Sequence, residues 1–457
     1  MTLAEEGARQ RHRDYTQGNL LQNIWDLSWP SVVSMAFFSI PNILDGIWLG
    51  RVGSDALAAA GIGMALRITM ISPLMALSAA SGAVVARYVG SKDQQRANQA
   101  VLQAVILFAV TAGSIGLLGL AFTEGLVRLA GGSGETLPLA ASYVRILFIG
   151  LIAMELVPSI GAMLVAAGSA DLSLRVNLLV SVVILILEPL LVLGWGPFPR
   201  LGVVGGSLSF VLGNTCGMAY ALYLLLTRQA PVWIDTQHLA LDWSMIRRIA
   251  RIALPAVVQR GTPNLAQTIL IRLISVHGSV PLAMYSIVMR VLNLAQIPSL
   301  GTSRSAAALV GQNLGAQRPE RAERAAMTIV AVVLILSATL LTTVSILSAP
   351  ILSLFSDEPD VIAQGVRAMP IIAIAQFFFA ISLAFDNSLA GAGDTVSPMV
   401  ANTIVLWLVQ LPIIYLFSQL LGWGADGIWR GIVLGQITLA TLLTWRFRQG
   451  RWKSQEI

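Results

Sequence analysis

Apolar residues along this chain come in long unbroken runs, separated by short polar stretches. About 20 consecutive apolar residues suffice to cross a bilayer as a helix. The runs are continuous rather than alternating at period two, which speaks for helices and against a β-barrel. They predict twelve helices, near 27–50, 57–87, 97–123, 139–166, 174–194, 203–227, 250–275, 282–312, 322–348, 361–390, 398–420 and 427–446. The second, eighth and tenth exceed what a bilayer needs and should tilt or protrude.

Composition sharpens this picture. Hydrophobic residues make up 56% of the 457 residues and charged ones 11%, against about 25% charged in soluble domains. No soluble domain is expected. The net charge of +6 comes from arginine, and the basic residues cluster at the ends of the apolar runs, where they set topology. Nucleic acid is therefore not an expected partner; the lipid bilayer is. Basic residues mark the N-terminal tail, the second-to-third link (Arg87, Lys92, Arg96), the sixth-to-seventh (Arg228, Arg247, Arg248, Arg251), the eighth-to-ninth (Arg318, Arg321, Arg324) and the C-terminal tail (Arg446, Arg448, Arg451, Lys453). Both termini are expected to be cytoplasmic, in a multi-pass protein of the plasma or inner membrane. The first apolar run is too long for the core of a cleavable signal, so none is expected. The lone Cys216 leaves no disulfide and no cysteine-based metal site to predict.

One offset of 225 residues aligns the two halves of the chain. It pairs Pro30 with Pro255, Gly53-Ser54 with Gly278-Ser279, Met64 with Met289, Pro73 with Pro298, Arg96-Ala97 with Arg321-Ala322, Gly168 with Gly393, Asn177 with Asn402 and Gly206 with Gly431. Each half holds six helices, an even number, so both enter the membrane from the same side and the repeat is parallel. The predicted fold is an all-α membrane protein with two six-helix lobes related by a pseudo-twofold axis. The boundaries expected are a tail over 1–26, a lobe over 27–227, a linker over 228–249, a lobe over 250–446 and a tail over 447–457. Two similar lobes suit a carrier that exposes a central cleft to each side in turn; a monomer is expected.

Candidate chemistry centres on Asp45, a carboxyl inside the first apolar run. An intramembrane charge costs about 2.5–3.5 kcal/mol on insertion scales and marks a functional site by default. Burial disfavours the charged form of any carboxyl, and a group that gains and loses a proton near neutral pH is what proton coupling requires. Glu188, followed by the helix-loosening Pro189, is the second candidate for a cation site. Glu155 and Asp386 read instead as structural. The offset pairs Asp45, Glu155 and Glu188 with Leu270, Ala380 and Ile413, whereas the second half carries Arg260, Arg272, Arg290 and Arg304. Ion coupling is thus expected in the first lobe. Phe38, Asn42, Met64, Gln259, Asn264, Gln267 and Met289 are candidates for lining a substrate cleft, although packing and interhelical bonding explain such residues equally well. No phosphate-binding loop, metal-spaced histidine pair or nucleophile elbow occurs, so no enzyme and no cofactor are expected.

The stretch Leu44-Asp45-Gly46-Ile47-Trp48-Leu49-Gly50-Arg51-Val52-Gly53, with Ala56-Leu57-Ala58-Ala59 following, resembles the multidrug and toxic compound extrusion (MATE) family. So do Leu309-Val310-Gly311-Gln312-Asn313-Leu314-Gly315-Ala316 and Leu389-Ala390-Gly391-Ala392-Gly393-Asp394-Thr395. The resemblance covers nearly the whole chain. It implies an antiporter that expels amphipathic, often cationic drugs or metabolites in exchange for protons or sodium. It further implies cation coupling at Asp45, an acid before proline at Glu188, and a hinge at Pro30, to which Pro41 is added. Sodium at Asp45 is the only metal in question. Ile184 stands where the family carries an asparagine, Phe379 where one branch carries an aspartate, and no helix-7 glutamate is found; these departures favour a proton. The alternative is a flippase for a lipid-linked or glycan precursor on a related fold, which the second-half arginines keep open.

Overall fold

The computed structural model describes residues 15–134, 136–235, 241–356 and 358–455, apart from the side chains of Phe38, Asn42, Ile43, Ser54, Leu57, Arg260 and Asn264. No strand occurs among the described residues. Helices α1 (Leu20–Val52), α2 (Ser54–Gly90) and α3 (Gln94–Ala121) are followed by α4, which runs as Thr136–Ile149 and Leu151–Ala166. Then come α5 (Ala170–Leu193), α6 (Val203–Leu226) and α7 (Trp243–Ser275). Helix α8 is again two pieces, Ser279–Ala295 and Ile297–Gly315, and α9 (Pro319–Ile346), α10 (Pro359–Gly391), α11 (Val396–Leu420) and α12 (Gly424–Arg448) complete the set. Among the described residues, 11 of these twelve are long and apolar enough to span a membrane, counting α4 and α8 as one span each. The exception, α7, has 33 residues and carries Arg247, Arg248, Arg251, Arg260 and Arg272.

The two bends are an addition to the sequence expectation. Helix α4 turns by 52° at Gly150 and α8 by 54° at Gln296. Gly150 has a packing reason to lack a side chain, since a Cβ there would meet Val211 of α6 at 2.3 Å. In α8, Pro298 stands at the start of the second piece, where a missing N–H does least harm. Its counterpart Pro73 lies inside an unbroken α2. Identical prolines in the two halves therefore have different local outcomes. The turns do repeat: Gly53 and Gly278, Lys92 and Gln317, and Gly168 and Gly393 all take positive φ, and each pair is 225 residues apart.

The chain divides into two compact units. Val33–Val257 belongs to unit 1, and Thr16–Val32 with Val258–Ile457 to unit 2. The dividing point in the first helix thus falls after Pro30, and the first turns of α1 pack with the second half of the chain. There Val32 touches Gly301 of α8, so closely that a Cβ on Gly301 would lie 2.6 Å from it, and Ser28 bonds Ser305 at 3.1 Å. In unit 1, glycines set the closest approaches. Gly205 of α6 lies against the Leu191 carbonyl of α5, and Gly213 and Gly217 accommodate Ile184 and Val180. Small residues bring helix backbones together in this way within bilayers. Unit 2 is built around an apolar core that includes Met284, Tyr285, Met369, Ile414 and Trp429.

Candidate functional site

Helix α6 organises the site in unit 1. Gly206 and Phe210 are one turn apart and share a face. A Cβ on Gly206 would sit 2.9 Å from Asp45 Oδ1 and 3.6 Å from Leu49. Glycine here lets the carboxyl of α1 lie directly on α6. One turn further, the ring of Phe210 carries the guanidinium of Arg67 from α2, 5.2 Å from its centroid. Such cation–π contacts hold a cation without closing an ion pair.

Glu188 of α5 is fully buried. Its carboxyl and that of Asp45 lie in hydrogen-bonding reach of each other. Neither Glu188 oxygen, nor Oδ1 of Asp45, has an N–H or O–H donor within reach. The remaining oxygen, Oδ2 of Asp45, accepts a long hydrogen bond of 3.5 Å from the Tyr143 hydroxyl. Two ionised carboxylates are acceptors only, so a hydrogen bond between them requires a proton on one. The geometry is that of a pair built to share one proton or one small cation. Tyr143 reaches it because Gly63, one turn before Arg67 on α2, gives its ring room; a Cβ on Gly63 would lie 2.4 Å from that ring. Ser181 of α5 ties the Phe37 carbonyl of α1 at 3.2 Å, which fixes the two acid-bearing helices side by side. Ile184, one turn before Glu188, is buried against Gly213.

Glu155 is buried, 4% exposed. Arg67 of α2 is a neighbour of the site that the sequence reading does not include: its guanidinium lies over Phe210, on the face of α6 that receives Asp45. The signal was legible, because Arg67 is a charge deep inside the apolar run 57–87, whose other charge, Arg87, closes it. Tyr143 and Gly206 carried no comparable signal, being common residues whose role depends on close packing.

The cleft candidates are dispersed. Gln259 donates to Asp386 at 2.9 Å, and Gln267 to the Tyr285 hydroxyl at 3.2 Å. Met289 packs against the core of unit 2, with Gln376 Nε2 3.7 Å from its sulfur. Met64 is exposed on α2. The side chains of Phe38, Asn42 and Asn264, and that of Arg260, lie outside the described residues. Pro30 and Pro41 both lie inside α1, which stays helical through them. No group of three or more His, Cys, Asp or Glu side chains that could hold a metal occurs among the described residues.

Comparison with known proteins bears on the whole chain. The MatE family model matches residues 30–190 and again 255–416, so the match itself repeats at the offset seen in the sequence. The probable multidrug resistance protein YoeA of Bacillus subtilis (strain 168) is 23% identical over 94% of this chain and 93% of its own length. A protein of Shewanella oneidensis named FAD transporter is 26% identical, over 91% and 90%. Among solved structures, the outward-facing conformation of a multidrug resistance MATE family transporter of the MOP superfamily superposes with a TM-score of 0.91 at 20% identity, covering 98% of this chain and 99% of that one. A MATE structure in a bent conformation gives 0.89 at 20% identity, over 99% of each chain. With the family model fitting both halves and the twelve-helix fold in place, the chain belongs to the MatE family of multi-pass membrane transporters.

Proposed function

We propose that the protein is a secondary antiporter that exports amphipathic, often cationic small molecules in exchange for protons, with Asp45 and Glu188 as the coupling pair. The observation that carries this reading is the approach of two buried carboxyl groups in a membrane-spanning bundle, with one long hydrogen bond from Tyr143 to Asp45 and three carboxyl oxygens left without a donor. Such a pair holds one proton readily; doubly ionised it is two like charges in contact, which low-dielectric surroundings punish. Loading a proton removes charge from α1 beside Gly206. The helix can then repack about Pro30 and Pro41, and a cationic cargo held by the same field is released. Unloading the proton to the other side restores the attraction for the next cation. A sodium ion would need several converging oxygens, and Ile184 places hydrocarbon one turn before Glu188; this supports the proton over sodium.

Everted vesicles with an imposed pH gradient and ethidium as the cargo test the reading. Asp45→Asn and Glu188→Gln are each expected to reduce pH-driven ethidium accumulation by at least about 10-fold, the scale of 1.4 kcal/mol lost from a coupled step. Accumulation at the wild-type rate by Asp45→Asn rules out the pair as the coupling site. A second reading, an anionic cargo such as a lipid-linked precursor, draws on Arg272 and Arg290, which keep exposed side chains on α7 and α8, and on the name of the Shewanella relative. Competition separates the two: excess FAD that abolishes ethidium uptake, or is itself accumulated while ethidium is not, favours the anionic cargo.

A further inference from the structure

The second helix of each half is built differently in the two units. In unit 2 a chain of hydrogen bonds joins α8 to α9 and α10. The Ser299 and Ser337 hydroxyls lie 2.8 Å apart, Ser337 donates to Gln296 Oε1 at 3.3 Å, and Gln296 Nε2 donates to the Gln376 carbonyl at 2.7 Å. Gln296, Ser299 and Ser337 are all buried. With Ser299 as the first donor the bonds run one way, so each link polarises the next. In unit 1 the residues 225 positions earlier are Ile71, Leu74, Ala112 and Leu151, whose side chains offer neither donor nor acceptor. The helices differ accordingly. Helix α2 runs unbroken through Pro73, whereas α8, with Pro298 at the equivalent place, bends by 54° at Gln296.

We propose that Gln296, rather than Pro298, makes α8 bend, and that it is thereby a positioning residue for transport. Its amide ties the joint of α8 to α10 at Gln376, and the side chain of that same Gln376 stands 3.7 Å from the Met289 sulfur. One residue of α10 thus meets α8 both at the bend and two turns before it. Between these points Tyr285 seats the first piece of α8 on α12, stacking on Trp429 at 5.4 Å, and accepts from Gln267 of α7 at 3.2 Å. The bend therefore fixes where the half-buried Met289 and Gln376 stand; a straight α8 would swing the first piece and part them. The inference rests on the export reading above in one respect. Met289 and Gln376 then meet an amphipathic cationic cargo, the thioether as a polarisable apolar surface and the amide through its oxygen.

Spin labels at Ser279→Cys and Glu320→Cys, exposed residues at the two ends of α8, read the bend by double electron–electron resonance in full-length Cys216→Ser protein in lipid nanodiscs. Gln296→Ile, which installs the residue of the first half, is expected to lengthen the label distance by about 6 Å, the difference between the bent and the straight helix at 1.5 Å per residue. Pro298→Ala is expected to leave the distance unchanged. In everted vesicles Gln296→Ile should raise the half-saturating ethidium concentration about 3–10-fold, the weight of one net hydrogen bond. The pH midpoint of transport should stay put, because Asp45 and Glu188 belong to unit 1. A merely structural role would lower the maximal rate and the thermal midpoint and leave half-saturation where it was. An unchanged label distance in Gln296→Ile, a distance lengthened by Pro298→Ala, or a longer distance with unaltered half-saturation overturns the proposal. If Gln296→Ile fails to fold, Ser337→Ala decides it, since it removes the donor to Gln296 Oε1: both readings should move the same way by less, and either one unmoved overturns the proposal. Wild-type vesicles that accumulate no ethidium sink the export reading separately, and the label distances then decide whether Gln296 makes the bend.

Discussion

Asp45 occupies its position because Gly206 has no side chain. The nearest carboxyl oxygen would stand only 2.9 Å from a Cβ on that glycine, closer than such contacts normally allow, so Gly206→Ala must displace the carboxyl or the helix bearing it. The variant is expected to fold, since one methyl against a movable carboxyl is a small insult, and to lose at least about 10-fold in pH-driven ethidium transport, a barrier change near 1.4 kcal/mol. Unchanged transport would show that the α1–α6 contact is incidental. Tyr143→Phe is the milder change. Its hydrogen bond to Asp45 is 3.5 Å long, at the weak end of the range, so transport should fall by no more than about 5-fold, about 1 kcal/mol. At this scale much was readable from residues alone: Asp45 and Glu188 announced themselves as charges in oil. Arg67 is equally visible in its apolar run, but its place over Phe210 depends on how α2 packs on α6, which the run itself does not encode. Gly206, Gly63 and Tyr143 were not readable, since their roles come from interhelical distances that no spacing encodes.

Helix α1 carries both Asp45 and two prolines, and its first turns belong to one unit while the rest belongs to the other. Proline inside a helix removes a hydrogen bond and costs about 3 kcal/mol or more, so a helix that keeps two such residues in a continuous run is weakened at both, as the proposed hinge requires. Replacing Pro30 and Pro41 together by alanine is expected to raise or preserve the thermal midpoint while lowering transport several-fold. A double variant that transports normally would remove the hinge from the account. Helix α7 offers a pH test outside the membrane. Asp242 caps its start, accepting from the Ser244 hydroxyl at 2.7 Å, the Ser244 N–H at 2.9 Å and the Met245 N–H at 3.1 Å. The Ser244 hydroxyl first, then the Met245 amide, hold the Asp242 carboxyl below the usual carboxylate range. A lowered value means that the cap is fully stabilising above about pH 4, the unfolded value, and is lost as pH falls through the folded one. Amide exchange at Ser244 and Met245 should therefore quicken below that pH, beyond the intrinsic rate change, and Asp242→Ala should remove the effect. Helix count was legible because bilayer thickness imposes a long apolar period, but α1 and α7 begin seven residues earlier than expected, at Leu20 and Trp243, where polar residues extend the helices beyond the apolar runs. The bends at Gly150 and Gln296 were not, because glycine and glutamine are ordinary within helices and only the neighbouring Val211 makes Gly150 obligatory.

Over the whole molecule, duplication is the organising fact. The 225-residue offset recurs in sequence identities, in the positive-φ turns and in the doubled family match. The buried carboxyls do not follow the duplication: Asp45 and Glu188 have Leu270 and Ile413 at the corresponding positions. Charge at the ends of the apolar runs predicts that both termini face the cytoplasm. With Cys216 changed to serine, a cysteine introduced by Gln455→Cys should be shielded from an impermeant maleimide in right-side-out vesicles and labelled in everted ones; the reverse pattern would invert the orientation. The central claim is that protons move against the cargo through Asp45 and Glu188, and proton counterflow measures it most directly. Proteoliposomes holding a pH indicator, with equal pH on both sides and no sodium, receive an ethidium gradient. The account predicts that ethidium movement drives protons the other way, and that Asp45→Asn and Glu188→Gln abolish this counterflow. Ethidium movement without protons, or only when sodium is supplied, or counterflow that survives both substitutions, would contradict it.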